Sequence, residues 1–184
     1  NEPIGLLNTD QTHKFNAWLS WDAISNNRNN LNISLLHTCF SGTPYSAVRG
    51  IRTSPYVGDP ADFGYIGSSL GSPNYYFSDR GAFRTDNLIS TDLAINYSFF
   101  IGIGGGQLEL FVQPEVTNIF TNDGVQYVNS TIVGPRQGME AFDPITETPV
   151  EGVIWEFGPS FGEPHGARDY QLPRTFRLSF GLRF

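Results

Sequence analysis

The sequence predicts an all-β fold: an antiparallel, up-and-down sheet of about five strands, of the kind that builds a transmembrane β-barrel. Three observations predict it. Apolar and polar residues alternate through five segments, and no helical period is sustained. The connections between segments alternate between short and very long. The final segment keeps one wholly apolar face up to Phe184.

The first strand is expected over about 12–23. Phe15, Ala17, Leu19, Trp21 and Ala23 share one face, Lys14, Asn16, Ser20 and Asp22 the other, and Trp18 is an exception on the polar side. The second, about 31–43, sets Leu31, Ile33 and Leu35 against Asn32, Ser34 and Thr38, with Leu36 out of pattern. The third, about 90–101, sets Leu93, Ile95, Tyr97, Phe99 and Ile101 against Asp92, Asn96 and Ser98. The fourth, about 107–118, sets Leu108, Leu110, Val112 and Val116 against Gln107, Glu109, Gln113 and Glu115. Pro114 lies inside it, where a ladder loses a donor; a local bulge could accommodate it. The fifth, about 174–184, alternates Phe176, Leu178, Phe180, Leu182 and Phe184 with Arg177, Ser179, Gly181 and Arg183.

Ser25-Asn-Asn-Arg-Asn-Asn30 and Gly102-Ile-Gly-Gly-Gly106 read as short turns. The second superficially resembles a phosphate loop, but no lysine and helix follow, and a tight hairpin explains it better. The long connections, about 44–89 and 119–173, are rich in Gly, Pro, Asn, Ser and Asp. On alternate connections they fall at one end of an up-and-down sheet, as in outer-membrane barrels with short periplasmic turns and long extracellular loops. Strands one, three and five then run inward. Tyr45 at the outer end, and Trp21, Phe99, Phe100 and Phe184 at the inner ends, become candidates for interfacial aromatic girdles. Alternation alone also describes a soluble β-sandwich. The loop asymmetry and the terminal phenylalanine favour the barrel.

Composition agrees. Hydrophobic residues make up 39% and mean hydropathy is -0.23, as expected where strands alternate. No run approaches the roughly 18 apolar residues of a spanning helix. Net charge is -7 and the pI about 4.8, which argues against a nucleic-acid partner. Cys39 is the only cysteine, so there is no disulfide framework. His13, His37 and His165 lack metal-ligand spacing. The start, Asn1-Glu-Pro-Ile, carries no signal-peptide pattern, and we expect the chain to be a fragment of a longer protein.

No catalytic constellation is visible, so no enzymatic role, cofactor or metal is expected. Glu140, Asp143, Glu147, Glu151, Glu156, Glu163 and Asp169 have no calcium-loop spacing and read as a solvated acidic loop. Tyr56, Tyr65, Tyr75, Tyr76 and Phe77 are candidate extracellular ligand contacts. They suit equally well a loop packed on itself or folded into a barrel mouth.

Four stretches carry a resemblance to a known family. These are Thr12-His-Lys-Phe-Asn-Ala17, Phe40-Ser-Gly-Thr-Pro-Tyr45, a hairpin set running from Asp92-Leu-Ala-Ile-Asn-Tyr97 through Leu108-Glu-Leu-Phe111 to Glu115-Val-Thr-Asn-Ile-Phe120, and Tyr170-Gln-Leu-Pro-Arg-Thr-Phe176. In order and spacing they resemble the C-terminal barrel portion of TonB-dependent outer-membrane receptors, nearest the Oar-like group whose members commonly carry a carboxypeptidase-regulatory-like domain. The resemblance covers nearly the whole chain. It implies five strands of a barrel of about 22 with a plugged lumen, in the outer membrane of a Gram-negative bacterium. It implies TonB-energised uptake of a large or scarce solute without covalent chemistry. The implied partners are outer-membrane lipid, the rest of the barrel and the plug, the TonB system, the barrel-assembly machinery and an unknown extracellular ligand. Lys14, Asn16, Asp22, Asp92, Asn96, Glu109, Gln113, Glu115, Arg177 and Arg183 would then line the lumen. Phe176, Leu178, Phe180, Leu182 and Phe184 would face lipid and form the C-terminal assembly signal. The alternatives are a structural or adhesive outer-membrane barrel, and a soluble secreted β-sandwich binding module.

Replacing Phe184 with serine in the full-length protein is expected to lower outer-membrane assembly, measured as surface level. Unchanged surface levels would remove the assembly role.

Overall fold

A computed structural model describes residues 4–51, 72–135, 137–144 and 146–184. The chain is all-β among these residues, with one 3-10 turn at Ala167–Asp169. The strands in chain order are β1 (Lys14–Ser25), β2 (Asn29–Phe40), β3 (Pro44–Tyr45), β4 (Val48–Gly50), β5 (Asn74–Tyr76), β6 (Phe83–Arg84), β7 (Leu88–Ile103), β8 (Gly106–Thr117), β9 (Ile132–Val133), β10 (Glu156–Phe157) and β11 (Thr175–Arg183). They fall into two compact units.

The first unit contains 11–42, 86–126 and 170–184. Its five long strands form one antiparallel meander, in the order β1-β2-β7-β8-β11. The sheet does not close on itself, because β1 and β11 each pair on one side only. Two tight turns set its register. Gly104 and Gly105 both have positive φ (55° and 91°), as a two-residue hairpin with matching twist requires. Between β1 and β2, the Asn26 side-chain oxygen accepts the backbone N–H groups of Arg28 (2.9 Å) and Asn29 (2.8 Å), an Asx turn.

Two details depart from plain alternation. Ala23 is skipped between the pairs Asp22–Asn32 and Ile24–Leu31. This bulge puts Ile24, not Ala23, on the apolar face opposite Leu31. At Pro114 a gap, not a bulge, accommodates the proline. The β7–β8 pairing passes from Ala94–Glu115 to Tyr97–Val112 in unchanged register, leaving a gap in the ladder. The proline has no N–H to give, and the Gln113 side chain bridges the gap by donating to the Asn96 side-chain oxygen (3.0 Å).

The second unit contains 1–10, 43–85 and 127–169. The two long connections therefore have their own fold. Three short ladders, β3–β6, β4–β5 and β9–β10, frame a core of Ala47, Phe77, Ile132, Phe142 and Trp155. Eight aromatic rings run through it in sequence of contact: Tyr45, Phe83, Phe161, Phe157, Trp155, Phe77, Phe142 and Tyr75, with successive centroids 4.5–5.9 Å apart. Most are tilted or edge-to-face, the arrangement the ring quadrupoles prefer. Tyr45, expected in a membrane girdle, is half-buried in this unit and stacked on Phe83 at 5.4 Å.

Phe77 is 9% exposed at the centre of this core. Phe77→Ala should destabilise the unit by about 3–5 kcal/mol. Limited proteolysis is expected to cut the 127–169 segment sooner in the variant, while the five-stranded sheet keeps its strand signal.

Candidate functional site

The candidate surface is the five-stranded sheet itself, and its chemistry follows from register. Paired residues share a face. Phe15, Leu19 and Trp21 lie opposite Cys39, Leu35 and Ile33. Those lie opposite Ile89, Leu93 and Ile95. Val116, Val112, Leu110 and Leu108 follow on β8, and Phe176, Leu178, Phe180 and Leu182 complete the row on β11. The result is one apolar face running across all five strands. Its rings and branched chains are largely uncovered, with Phe180 81% exposed. Soluble monomers rarely show contiguous apolar patches beyond a few hundred Å².

Polar atoms enter this face at two margins, and both are matched. His37 Nδ1 and Thr91 Oγ1 are 2.8 Å apart near the long-connection end, and Thr91 is 4% exposed. Near the short-turn end the Tyr97 hydroxyl donates to the Asn29 side-chain oxygen at 2.8 Å. Between these levels β2 presents Leu31, Ile33 and Leu35. Neither pair was foreseen from the sequence. Period-two alternation places His37 and Thr91 on the apolar side, and their cross-strand partnership explains how they are tolerated there.

The opposite face is polar and laced with hydrogen bonds. The Asn32 amide donates to Ser20 Oγ (2.9 Å) and Asp22 Oδ1 (2.8 Å). Ser98 Oγ donates to Glu109 Oε1 at 2.6 Å. Arg177 and Arg183 reach Glu115 and Glu109, each at 3.4 Å. These ion pairs are largely exposed and contribute little on their own. The Arg183 guanidinium also lies 4.7 Å from the centroid of Phe111, whose ring rests on Gly181. A Cβ added at Gly181 would come within 2.7 Å of that ring, so a larger residue there would push the ring off its seat. Phe100 pairs with Glu109 and Phe99 with Leu110. Phe100 is therefore on the polar face, and of this adjacent pair of expected girdle rings only Phe99 is on the apolar one.

The sequence-predicted residues divide clearly. Phe176, Leu178, Phe180 and Leu182 are on the apolar face, with Phe184 just beyond the end of β11. Lys14, Asn16, Asp22, Asp92, Asn96, Glu109, Gln113, Glu115, Arg177 and Arg183 share the polar one. Tyr56 and Tyr65 lie outside the described residues. Phe77 is buried and the half-buried Tyr75 packs against it, as in the alternative of a loop packed on itself. Tyr76 is half-exposed beside the Arg80 guanidinium. Among the described residues no group of histidine, cysteine and carboxylate side chains could hold a metal ion.

A polar clamp joins the strand ends beside this surface. Asn118 is 2% exposed with φ of 51°. Its amide donates to the carbonyls of Asn122 (2.7 Å) and Leu172 (3.0 Å), and its oxygen accepts the Asn122 N–H (2.9 Å). Its own N–H donates to Asp92 Oδ1 at 2.8 Å. The Gln171 amide donates to the carbonyls of Ile89 and Asn122, both at 2.8 Å. Both residues belong to the motifs quoted above, and their task is to tie the entry of β11 to the ends of β7 and β8.

No protein-family model matches the chain, and neither a curated protein nor a solved structure matches it.

Asn118→Ala removes three side-chain hydrogen bonds and leaves the left-handed backbone to a residue without the polar side chain that favours asparagine there. A loss of about 2–4 kcal/mol is expected, measured as a lowered thermal midpoint. Asn118→Gly, which restores only the backbone freedom, should recover a minor part.

Proposed function

We propose that this chain is the C-terminal part of a TonB-dependent outer-membrane receptor barrel, of the Oar-like kind. Its apolar face meets lipid, its polar face turns to the interior, and the whole protein takes up a large or scarce solute with energy supplied from the inner membrane. The observation that carries this reading is the apolar face continuous over five strands, backed by a hydrogen-bonded polar face.

Three further features support it. Tyr97–Asn29 and His37–Thr91 bracket the apolar stretch of β2, eight residues apart, or about 26 Å along the strand. A tilt of roughly 40° brings this to about 20 Å, near the band of about 25 Å that outer-membrane barrels present. Aromatic rings stand toward both ends of the face, with Phe15 and Phe176 at one and Trp21, Tyr97 and Phe99 at the other, as in interfacial girdles. The free edges of β1 and β11 are the sites where more barrel strands would pair, since an open edge in lipid leaves backbone groups unsatisfied.

In this reading the chain does no covalent chemistry. Uptake proceeds by displacement or remodelling of a plug carried elsewhere in the protein. The second unit is the extracellular contact region. Its ordered aromatic core also suits an adhesive outer-membrane protein, the second reading. A plug domain in the full-length protein would separate the two.

Neighbouring positions on β11 test the membrane placement. Phe180→Arg puts a cation on the apolar face, and Ser179→Arg puts one on the polar face. In the full-length protein expressed in a Gram-negative host, Phe180→Arg should sharply reduce outer-membrane recovery, because a cation on the lipid face costs up to about 2–4 kcal/mol, depending on its depth. Ser179→Arg should be recovered near wild-type level. Equal tolerance of both substitutions, or a wild-type protein soluble without detergent, would overturn the membrane reading.

A further inference from the structure

One apolar pair stands in the middle of the polar face, apart from Phe100 and Phe111 toward the short turns and Phe40 and Leu88 at the long-connection end. Trp18 on β1 and Leu36 on β2 are direct cross-strand partners, and both project from the polar face, next to Ser20, Ser34 and Asp92. Trp18 is 80% exposed. In the next rows Ser34 pairs with Ala94 and Leu36 with Asp92, and Ala94 pairs with Glu115. The small Ala94 leaves a groove of about 410 Å³ between Trp18 and Leu36 on one side and Asp92 and Glu115 on the other, with Ser20 and Ser34 beside it. That volume lies within the roughly 300–1,000 Å³ typical of ligand clefts.

The charges of the groove do not balance. Asp92 and Glu115 are diagonal neighbours across β7 and β8. Glu115 has Arg177 at 3.4 Å, a side chain 75% exposed. Asp92 has no ion-pair partner among the described residues. It accepts from Ser90 Oγ (2.7 Å) and from the Asn118 N–H (2.8 Å), both through Oδ1. Two carboxylates therefore face one guanidinium, beside an uncovered indole.

A cation is favoured over the face of tryptophan. A long basic side chain can lay its methylene stem on apolar surface while its head meets a carboxylate. Arginine suits the place better than lysine, because its planar head stacks on rings and is more weakly hydrated. A neutral sugar would also stack on Trp18 but gains nothing from the surplus carboxylate. We propose that this groove seats an arginine side chain of a polypeptide that packs on the polar face. The site goes beyond the function proposed above and does not require that the opposite face meet lipid.

The test is a titration of the full chain, in detergent or without it as solubility demands. The probes are the peptide Gly-Arg-Gly, the same peptide with citrulline in place of arginine, and glucose. Heat of binding is the readout, and circular dichroism checks the fold of each variant. Saturable, salt-sensitive binding of the arginine peptide in about the millimolar range is expected. The citrulline peptide should bind about tenfold more weakly. Trp18→Leu and Glu115→Gln should each weaken the arginine peptide by about threefold or more. Equal affinity for the arginine and citrulline peptides, no saturation by the arginine peptide, or unchanged binding by folded Trp18→Leu would overturn the proposal. Binding of glucose without arginine would assign the groove to a glycan instead. Because no step uses membrane insertion, failure here is distinct from failure of the barrel reading.

Discussion

A slip of one residue between any two of the five long strands would carry every side chain of the slipped strand to the opposite face. Arg177 and Arg183 would enter the row of Val112 and Val116, and Phe180 would move among amides. The two-faced chemistry of the sheet therefore rests on register. Several unrelated contacts hold it: the paired glycines at Gly104–Gly105, the Asx turn at Asn26, the bulge at Ala23, and the Phe111 ring seated on Gly181. The Asn118–Gln171 clamp does the same for β11, which reaches its partner only after the second long connection. Each acts locally, and together they select one pairing.

The two units solve the burial problem in different ways. The segments of the long connections bury aromatic rings against one another, so their short ladders need little support from strand length. The sheet buries little on either side of itself. Its polar face is satisfied by neighbouring hydroxyls, amides and ion pairs, and its apolar face is left for whatever medium or surface meets it. In the barrel interpretation that medium is lipid, and the matched polar pairs at the margins keep His37 and Tyr97 from facing it with unpaired groups.

Much of the sheet was legible in the sequence because period-two alternation directly encodes which side chains share a face. The five strands appear within a few residues of their expected bounds, and the apolar and polar sets are the same except where Ala23 bulges. Phe100 shows the limit: adjacent aromatics cannot share a face, and only register says which one is apolar. Short-range pattern could not show that the long connections fold together. That core brings Phe77 to Trp155 across almost eighty positions, and no local signal records such a partnership. For the same reason Trp18 and Leu36, each an isolated exception to its own strand, became one feature only once they were seen to be opposite each other.

The gap at Pro114 has a mechanical consequence. Between Ala94–Glu115 and Tyr97–Val112 the backbone ladder is interrupted, and a single amide side chain spans the space. The seam between β7 and β8 is thus paired above and below a short compliant stretch at mid-height. Curvature imposed on the sheet would concentrate at this stretch, because fewer backbone bonds resist a change of angle there. A proline that looks like a flaw in a central strand would then act as a crease, letting the meander change its curvature without breaking its register.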